Sequence, residues 1–303
     1  MRAKLVTSAV VLLTLAAPAH ADPDWRAVAQ ALGKSGAEMP GGIYRVGLPR
    51  SDLEVTLDGV AIRPALALGS WLAFKAMGDK DSMVMGDLVL TQEEVNPVMK
   101  KLVENGLEIT ALHNHLLRSE PATLYMHVSG HGDAAKLAAA LRSALQESKT
   151  PLDESQTGSA QPPSAAPAQG DIDLNTAVID QALGRKGKVN GGVYQVSIPR
   201  AETPHDSGME VPESMGSAIA INFQPTGSGK AAITGDFVLT ADEVNPVLRA
   251  LRANGIEVTA LHNHMLDDQP RLFFMHFWAN DDAEKLAKGL RAALDKVKVA
   301  KSG

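Results

Sequence analysis

The sequence contains no cysteine. That excludes a disulfide framework and lipid attachment through an N-terminal cysteine, so any folded part must rest on its core. Nor does it contain a run of about 20 apolar residues, the length a membrane-spanning helix needs. No cluster of lysine and arginine stands out, and the formal net charge is −6, so a nucleic-acid partner has no electrostatic support. At the start is a short leader pattern: Arg2 and Lys4, an apolar stretch from Leu5 to Ala17, then Ala19-His20-Ala21. A basic start, an apolar run too short to span a bilayer and small residues at −3 and −1 define a secretory signal peptide. Residues 1–21 are therefore expected to be removed ahead of Asp22, and the protein to be periplasmic or secreted.

The rest of the chain is organised by a duplication. Gly86-Asp87-Leu88-Val89-Leu90-Thr91 returns as Gly235-Asp236-Phe237-Val238-Leu239-Thr240, and Glu94-Val95-Asn96-Pro97-Val98 as Glu243-Val244-Asn245-Pro246-Val247. Thr110-Ala111-Leu112-His113-Asn114-His115 returns as Thr259-Ala260-Leu261-His262-Asn263-His264, at the same offset. Gly41-Gly42-Ile43-Tyr44 answers to Gly191-Gly192-Val193-Tyr194, and Pro49-Arg50 to Pro199-Arg200. Such self-similarity at one spacing marks tandem copies of one domain. The first repeat spans 22–147 and the second 171–303. Residues 148–170 turn to Ser, Pro, Ala, Gln and Gly, the composition of a linker. It is long enough for the halves to lie side by side about a pseudo-two-fold axis.

Within a repeat, Trp25 to Leu32 reads as a short helix closed near Gly33. Ile43–Leu48 and the alternating Leu53–Leu57 read as strands, with Asp58-Gly59 as a hairpin turn. Trp71–Phe74 and Met83–Leu90 are further strands. Thr91 with Glu94 is a capping box opening a helix, which stops at Asn105-Gly106. Pro97 strains that helix unless Asn96 is its N-cap and Pro97 its first residue. Leu107–Leu112 and Ala122–Val128 are strands, and Asp133–Leu145 is an amphipathic helix. The expected class is α+β: two tandem homologous domains, each a mostly antiparallel sheet with a ferredoxin-like β-α-β-β-α core.

Seven of the nine histidines lie in two clusters. Residues i and i+2 of a strand share a face, so His113 and His115 project together, and hairpin pairing brings His127 opposite them. The second copy keeps His262, His264 and His276. His131 has no counterpart, since Asn280 stands in its place, and it is an additional ligand or proton shuttle in the first copy only. Three converging imidazoles suit a divalent transition metal, zinc first. A fourth position is left for water or for a carboxylate, Asp87/Asp236 or Glu94/Glu243. Glu94 and Glu243 are candidate general bases for metal-assisted hydrolysis, although helix capping also accounts for them. Arg50 and Arg200 are candidates for binding an anionic ligand group, or for a structural salt bridge. Histidines that merely hydrogen-bond within a polar sheet face are the bland alternative.

The run Gly-Asp-x-Val-Leu, Glu-Val-Asn-Pro-Val, Asn-Gly-x-Glu-x-Thr-Ala-Leu-His-Asn-His and x-Met-His resembles the LppY/LpqO family of exported bacterial proteins. The resemblance recurs once per half. It implies export and the duplicated domain, and it implies no activity, substrate or cofactor. The lack of cysteine departs from the lipid attachment of the family's namesakes. Two functions compete: an exported metal-binding protein with one site per repeat, and a non-catalytic envelope protein binding a small molecule, glycan or protein partner between the repeats.

Overall fold

The computed structural model describes residues 24–78, 81–152 and 172–301. The expected signal peptide and nearly all of the expected linker lie outside these residues.

The first repeat contains α1 (Trp25–Leu32), β1 (Ala37–Met39), β2 (Ile43–Pro49), β3 (Val55–Leu57), β4 (Val60–Ile62), α2 (Pro64–Ala67), β5 (Gly69–Ala76) and β6 (Ser82–Thr91). It continues with α3 (Gln92–Glu104), β7 (Glu108–His113), β8 (Thr123–Gly132) and α4 (Ala134–Leu145). The second contains α5 (Thr176–Leu183), β9 (Lys188–Asn190), β10 (Val193–Ile198), β11 (His205–Asp206), β12 (Met209–Glu210), β13 (Ile219–Gly227) and β14 (Lys230–Thr240). Then come α6 (Ala241–Ala253), β15 (Glu257–His262), β16 (Asp268–Gln269), β17 (Leu272–Asp282) and α7 (Ala283–Leu294).

Local chemistry explains most of these boundaries. Asp24 caps α1 by accepting from the Arg26 and Ala27 amides, and Gly33 closes it in the left-handed region. The Thr91/Glu94 capping box is formed, and so is its copy at Thr240/Glu243. Asp58 and Gly59 both take positive φ, 49° and 79°, as a two-residue hairpin turn of the primed type requires. Pro97 departs from expectation. The helix opens at Gln92 and Pro97 lies inside it, so the bond it cannot donate is given up one turn into the helix. The capping pair fixes the start at Gln92, with the Thr91 amide donating to the Glu94 carboxylate, and the helix accommodates Pro97 in its interior.

Each repeat builds one six-stranded antiparallel sheet, ordered β1-β2-β5-β6-β8-β7 and β9-β10-β13-β14-β17-β15. β8 pairs antiparallel with both β6 and β7. β6 and β7 therefore run parallel with β8 between them and α3 as the crossover, which is the split β-α-β unit. The α+β class and ferredoxin-like core are as expected.

The helices cover one face of each sheet. Val84, Leu88 and Leu90 of β6 and Met126 and Val128 of β8 pack with Val98 and Leu102 of α3 and Leu137 and Leu141 of α4. The opposite faces pack on each other. Met83, Met85, Ile43 and Ala73 share a core with Met215, Val238 and Met265 of the second repeat. Val89 and Tyr125 join Ala232 and Trp278 in another. The order of layers is thus helix, sheet, sheet, helix. Polar contacts cross the same seam. Arg118 donates to Asp58 in its own repeat and to both carboxylate oxygens of Glu257, and the Trp278 indole donates to Asp58.

Candidate metal centre

The seam between the two sheets is where the histidines meet. On β8, Tyr125 and His127 point away from the helices; on β17, Phe274 and His276 do. β7 and β15 are the edge strands of their sheets and carry His113 and His262 at their last residue. A register shift between Ile109 and Ala111, repeated between Val258 and Ala260, makes Thr110 and Thr259 bulge residues. His127 therefore lies beside Ala111, and Tyr125 takes the place opposite His113. His115 sits just past the end of the strand and not within it. The three imidazoles still converge, because His113 and His127 are diagonal neighbours on one face, with ring centroids 5.1 Å apart.

The expectation of one separate site per repeat is replaced by one shared cluster. His113 stacks on His262 with centroids 3.4 Å apart. His127 stacks on His264 at 3.7 Å, and His115 on His276 at 3.5 Å. Every close pair thus takes one ring from each repeat. The His113/His262 pair lies in the middle, with the other two pairs about one ring-step away: 5.1 Å from His113 to His127 and 4.9 Å from His262 to His276. Phe274 closes the row against His264 and Tyr125 closes it against His115, each at 3.4 Å.

Two carboxylates join them. Asp87 pairs with His127 in the β6–β8 register, and Asp236 with His276 in β14–β17. Asp87 Oδ1 is 3.9 Å from His127 Nε2, and the Asp236 carboxylate is 3.6 Å from His264 Nε2 and 3.8 Å from His276 Nε2. All six Nε2 atoms, with one oxygen each of Asp87 and Asp236, are shielded from solvent and have no hydrogen-bond partner. The Nδ1 atoms of His113, His262 and His276 face the carbonyls of Asn114, Asn263 and Gly235 at 3.2, 3.0 and 2.8 Å. Donation from Nδ1 leaves Nε2 with a free lone pair, the usual arrangement of a metal-bound imidazole.

Electrostatics agree with neutral rings. Burial pushes His113 down to about 4, and burial with the neighbouring His113 ring pushes His262 down to about 3. His115, His127, His264 and His276 are held well below the ordinary histidine value, by burial first and by adjacent imidazoles second. Burial raises Asp87 to about 8, with Arg45 opposing the rise. Asp236 lies well above the carboxylate range through burial and the nearness of Asp87. A cation would reverse this balance, since it stabilises the ionised carboxylates that burial disfavours.

The Asn between each pair of histidines has its own task. Asn114 Nδ2 donates to the Thr259 carbonyl and Asn263 Nδ2 to the Thr110 carbonyl, at 3.3 and 3.0 Å. Thr259 Oγ1 donates to the His115 carbonyl at 2.5 Å. A bulge leaves its extra residue outside the ladder, and here the other repeat supplies the missing partner. Sequence reasoning missed this clamp, although the same Asn in both His-x-His copies was a visible signal. Arg45 and Trp71 were missed as well. The Arg45 guanidinium lies 4.1 Å over the Trp71 ring, on the side of Asp87. Gln195 and Ala220 stand at the matching places of the second repeat, so the two ends of the cluster differ.

Other predicted site residues lie elsewhere. Arg50 is fully buried and is held by Glu94, Asp52 and the Val89 carbonyl. The Glu94 carboxylate also accepts from the Thr91 and Lys149 amides, at 2.9 and 2.8 Å. Arg200, Glu243, Thr240 and Lys298 repeat the arrangement. Neither glutamate makes an ion pair or hydrogen bond to a histidine, and both oxygens of each are already engaged. Of the two roles open to Arg50 and Arg200, the geometry shows the salt bridge. Its partner is the capping glutamate, and an anionic ligand would find the guanidinium enclosed. His131 is exposed, four residues along β8 from His127 and outside the stack.

The fold and site define a duplicated α+β chain whose repeats share one histidine–carboxylate cluster. The sequence profile of the family described as a Domain of Unknown Function (DUF1259) matches residues 26–147 and again 177–296, and the chain belongs to that family, carrying the domain twice. No curated protein matches. Among solved structures, one described as a trimeric bacterial microcompartment shell protein PduB is similar over 85% of this chain and 88% of that one. The TM-score is 0.23 and the identity 11%, too low to support any inference.

Proposed function

We propose that this protein is an exported metal-binding protein that holds divalent transition-metal ions, zinc first among them, between its two repeats. The observation that carries the proposal is the convergence of eight solvent-shielded, unpartnered donor atoms on one seam. Leaving a buried polar group unpaired costs about 1–3 kcal/mol. Eight such groups would together rival the roughly 5–15 kcal/mol that holds a typical domain folded. A purely structural role for the histidines leaves that cost without an offset, whereas an ion bound by Nε2 and carboxylate oxygen removes it.

Export is part of the proposal. Its support is the leader pattern of residues 1–21 and the resemblance to LppY/LpqO proteins. The rival, an organic ligand or glycan between the repeats, has less support, because stacked rings fill the seam where it would sit. A small cavity lined by Trp71, Met85, Met215, Met265, His127 and His264 adjoins one end of the row. Glu94 and Glu243, whose carboxylate oxygens are engaged by Arg50 and Arg200 and by backbone amides, have no free oxygen to serve as the base of a metal-assisted hydrolysis.

The test is metal content by elemental mass spectrometry on untagged protein from the exported fraction, beside a His113→Ala/His115→Ala/His262→Ala/His264→Ala variant. Metal near stoichiometry in the wild type, lost from the folded variant, is expected. Absence of metal in both, even after reconstitution with zinc, copper, iron, nickel and manganese, overturns the proposal.

A further inference from the structure

Resting on that metal-binding proposal, we infer that the cluster is a single two-ion centre in which each ion draws ligands from both repeats and Asp87 and Asp236 span the pair of ions. The donor set is too large and too divided for one ion. Four donors around a tetrahedral zinc at about 2.0–2.1 Å lie roughly 3.3 Å from one another, and this cluster offers six imidazoles and two carboxylates. Its donor atoms fall into groups whose members all lie within 4.8 Å of one another. One group is His113, His115, His262 and His276, and another is His113, His127 and His264. The two hybrid pairs His115/His276 and His127/His264 enter different groups, and His113 of the central pair enters both.

The carboxylates carry the inference furthest. Asp87 groups with His115 and His127, and Asp236 groups with His264 and His276. Each acid therefore reaches one histidine from either flanking pair. Each acid thus stands between the two flanking pairs, the position of a carboxylate that spans two ions. Two ions about 3.5–4 Å apart, the usual spacing of paired metal sites, place a carboxylate between them in this way. The pseudo-two-fold relation then divides the ligands evenly. His127, His264 and His113 hold one ion, His115, His276 and His262 hold the other, and the acids are shared. Neither ion keeps a full ligand set if one repeat is withdrawn.

The experiment is to load the metal-stripped, full chain with Cu²⁺, measure bound copper by native mass spectrometry, and record electron paramagnetic resonance on the same sample. Two ions per chain with a spin-coupled signal, attenuated near the normal field and showing a half-field transition, is the expected result. Two ions with the additive signal of isolated centres overturns the inference, as does saturation at one ion; the metal-binding proposal survives both. No bound copper, with none of the other metals taken up either, defeats the metal-binding proposal itself. An Asp87→Asn/Asp236→Asn variant is close in size to the wild type and keeps all six imidazoles. It is expected to fold, to bind copper at least tenfold more weakly, and to lose the coupling. Unchanged coupling in that folded variant also overturns the inference.

Discussion

Replacing Glu94 by glutamine separates a structural carboxylate from a catalytic one. Oε2 accepts from Arg50 Nη1 at 2.8 Å and the Thr91 amide at 2.9 Å. Oε1 accepts from Arg50 Nη2 at 3.1 Å and the Lys149 amide at 2.8 Å. Whichever oxygen becomes an amide nitrogen, two donors face a donor. Arg50, with no exposed surface, also loses one of its two countercharges and keeps only Asp52. Breaking a buried ion pair from one side costs about 3–5 kcal/mol. At about 2–4 °C per kcal/mol for a chain segment of this size, Glu94→Gln should lower the melting temperature by roughly 6–20 °C, and Glu243→Gln by a similar amount. Metal content of the surviving folded protein should match wild type, because neither glutamate meets a histidine. The assay is thermal denaturation followed by circular dichroism, with elemental analysis of the same samples. A drop smaller than about 2 °C, or loss of metal without loss of stability, would refute the reasoning and return Glu94 to the metal centre.

Three further outcomes follow from the same structure. Asn114→Ala/Asn263→Ala removes both cross-repeat clamps and strands the Thr110 and Thr259 carbonyls. Asn263 Nδ2 also donates to the Met265 carbonyl, so at about 0.5–1.5 kcal/mol for each of the bonds lost urea denaturation should report a loss of about 1.5–4.5 kcal/mol, and an unchanged midpoint would count against the clamp. In the metal-free chain, His113 and His262 have folded-state values of about 4 and about 3, below the ordinary 6.5. The stability they contribute is present above about pH 6.5 and is lost as pH falls toward those values. Melting temperature should therefore decline from pH 6.5 to 4 with chelator present, and a flat profile over that range would contradict the buried, neutral rings. A Cβ at Gly235 would stand 1.9 Å from the Ala220 carbonyl oxygen. Gly235→Ala should force β13 and β14 apart and shift the carbonyl that His276 Nδ1 faces, so stability and metal content should fall together.

Periodicity and local chemistry exposed most of each repeat. The capping boxes, the Asp58-Gly59 hairpin, the glycine helix stop and the strands that lead into His113 and His262 are all decided by residues near in sequence, and they were legible; the placing of His115 and His264 within those strands was not, because each strand ends at the first histidine. What each sheet packs against is decided by residues far apart, and periodicity is silent on it. One sign was nonetheless available. The run from Met83 to Leu90 is apolar on both faces of its strand except at Asp87, and β6 is buried along nearly its whole length. Helices can cover one such face, so the other needed a second sheet, and only the duplicate was there to provide it. Histidines on that face had to meet their copies. The Arg50–Glu94 pairing was harder to see, because 44 residues separate the partners and helix capping already accounted for Glu94.

The joining of two repeats around one row of rings bears on how such a centre can diverge. Were the same domain to assemble as a pair of separate identical chains, every substitution would be made twice, and the two ends of the row would stay alike. In a single chain each end is inherited independently. Tyr125 at one end against Phe274 at the other, and Arg45 with Trp71 beside Asp87 where the second repeat has Gln195 and Ala220, are differences that two identical chains could not hold. Covalent linkage thus lets a symmetric set of histidines acquire two unequal neighbourhoods, only one of which carries a guanidinium.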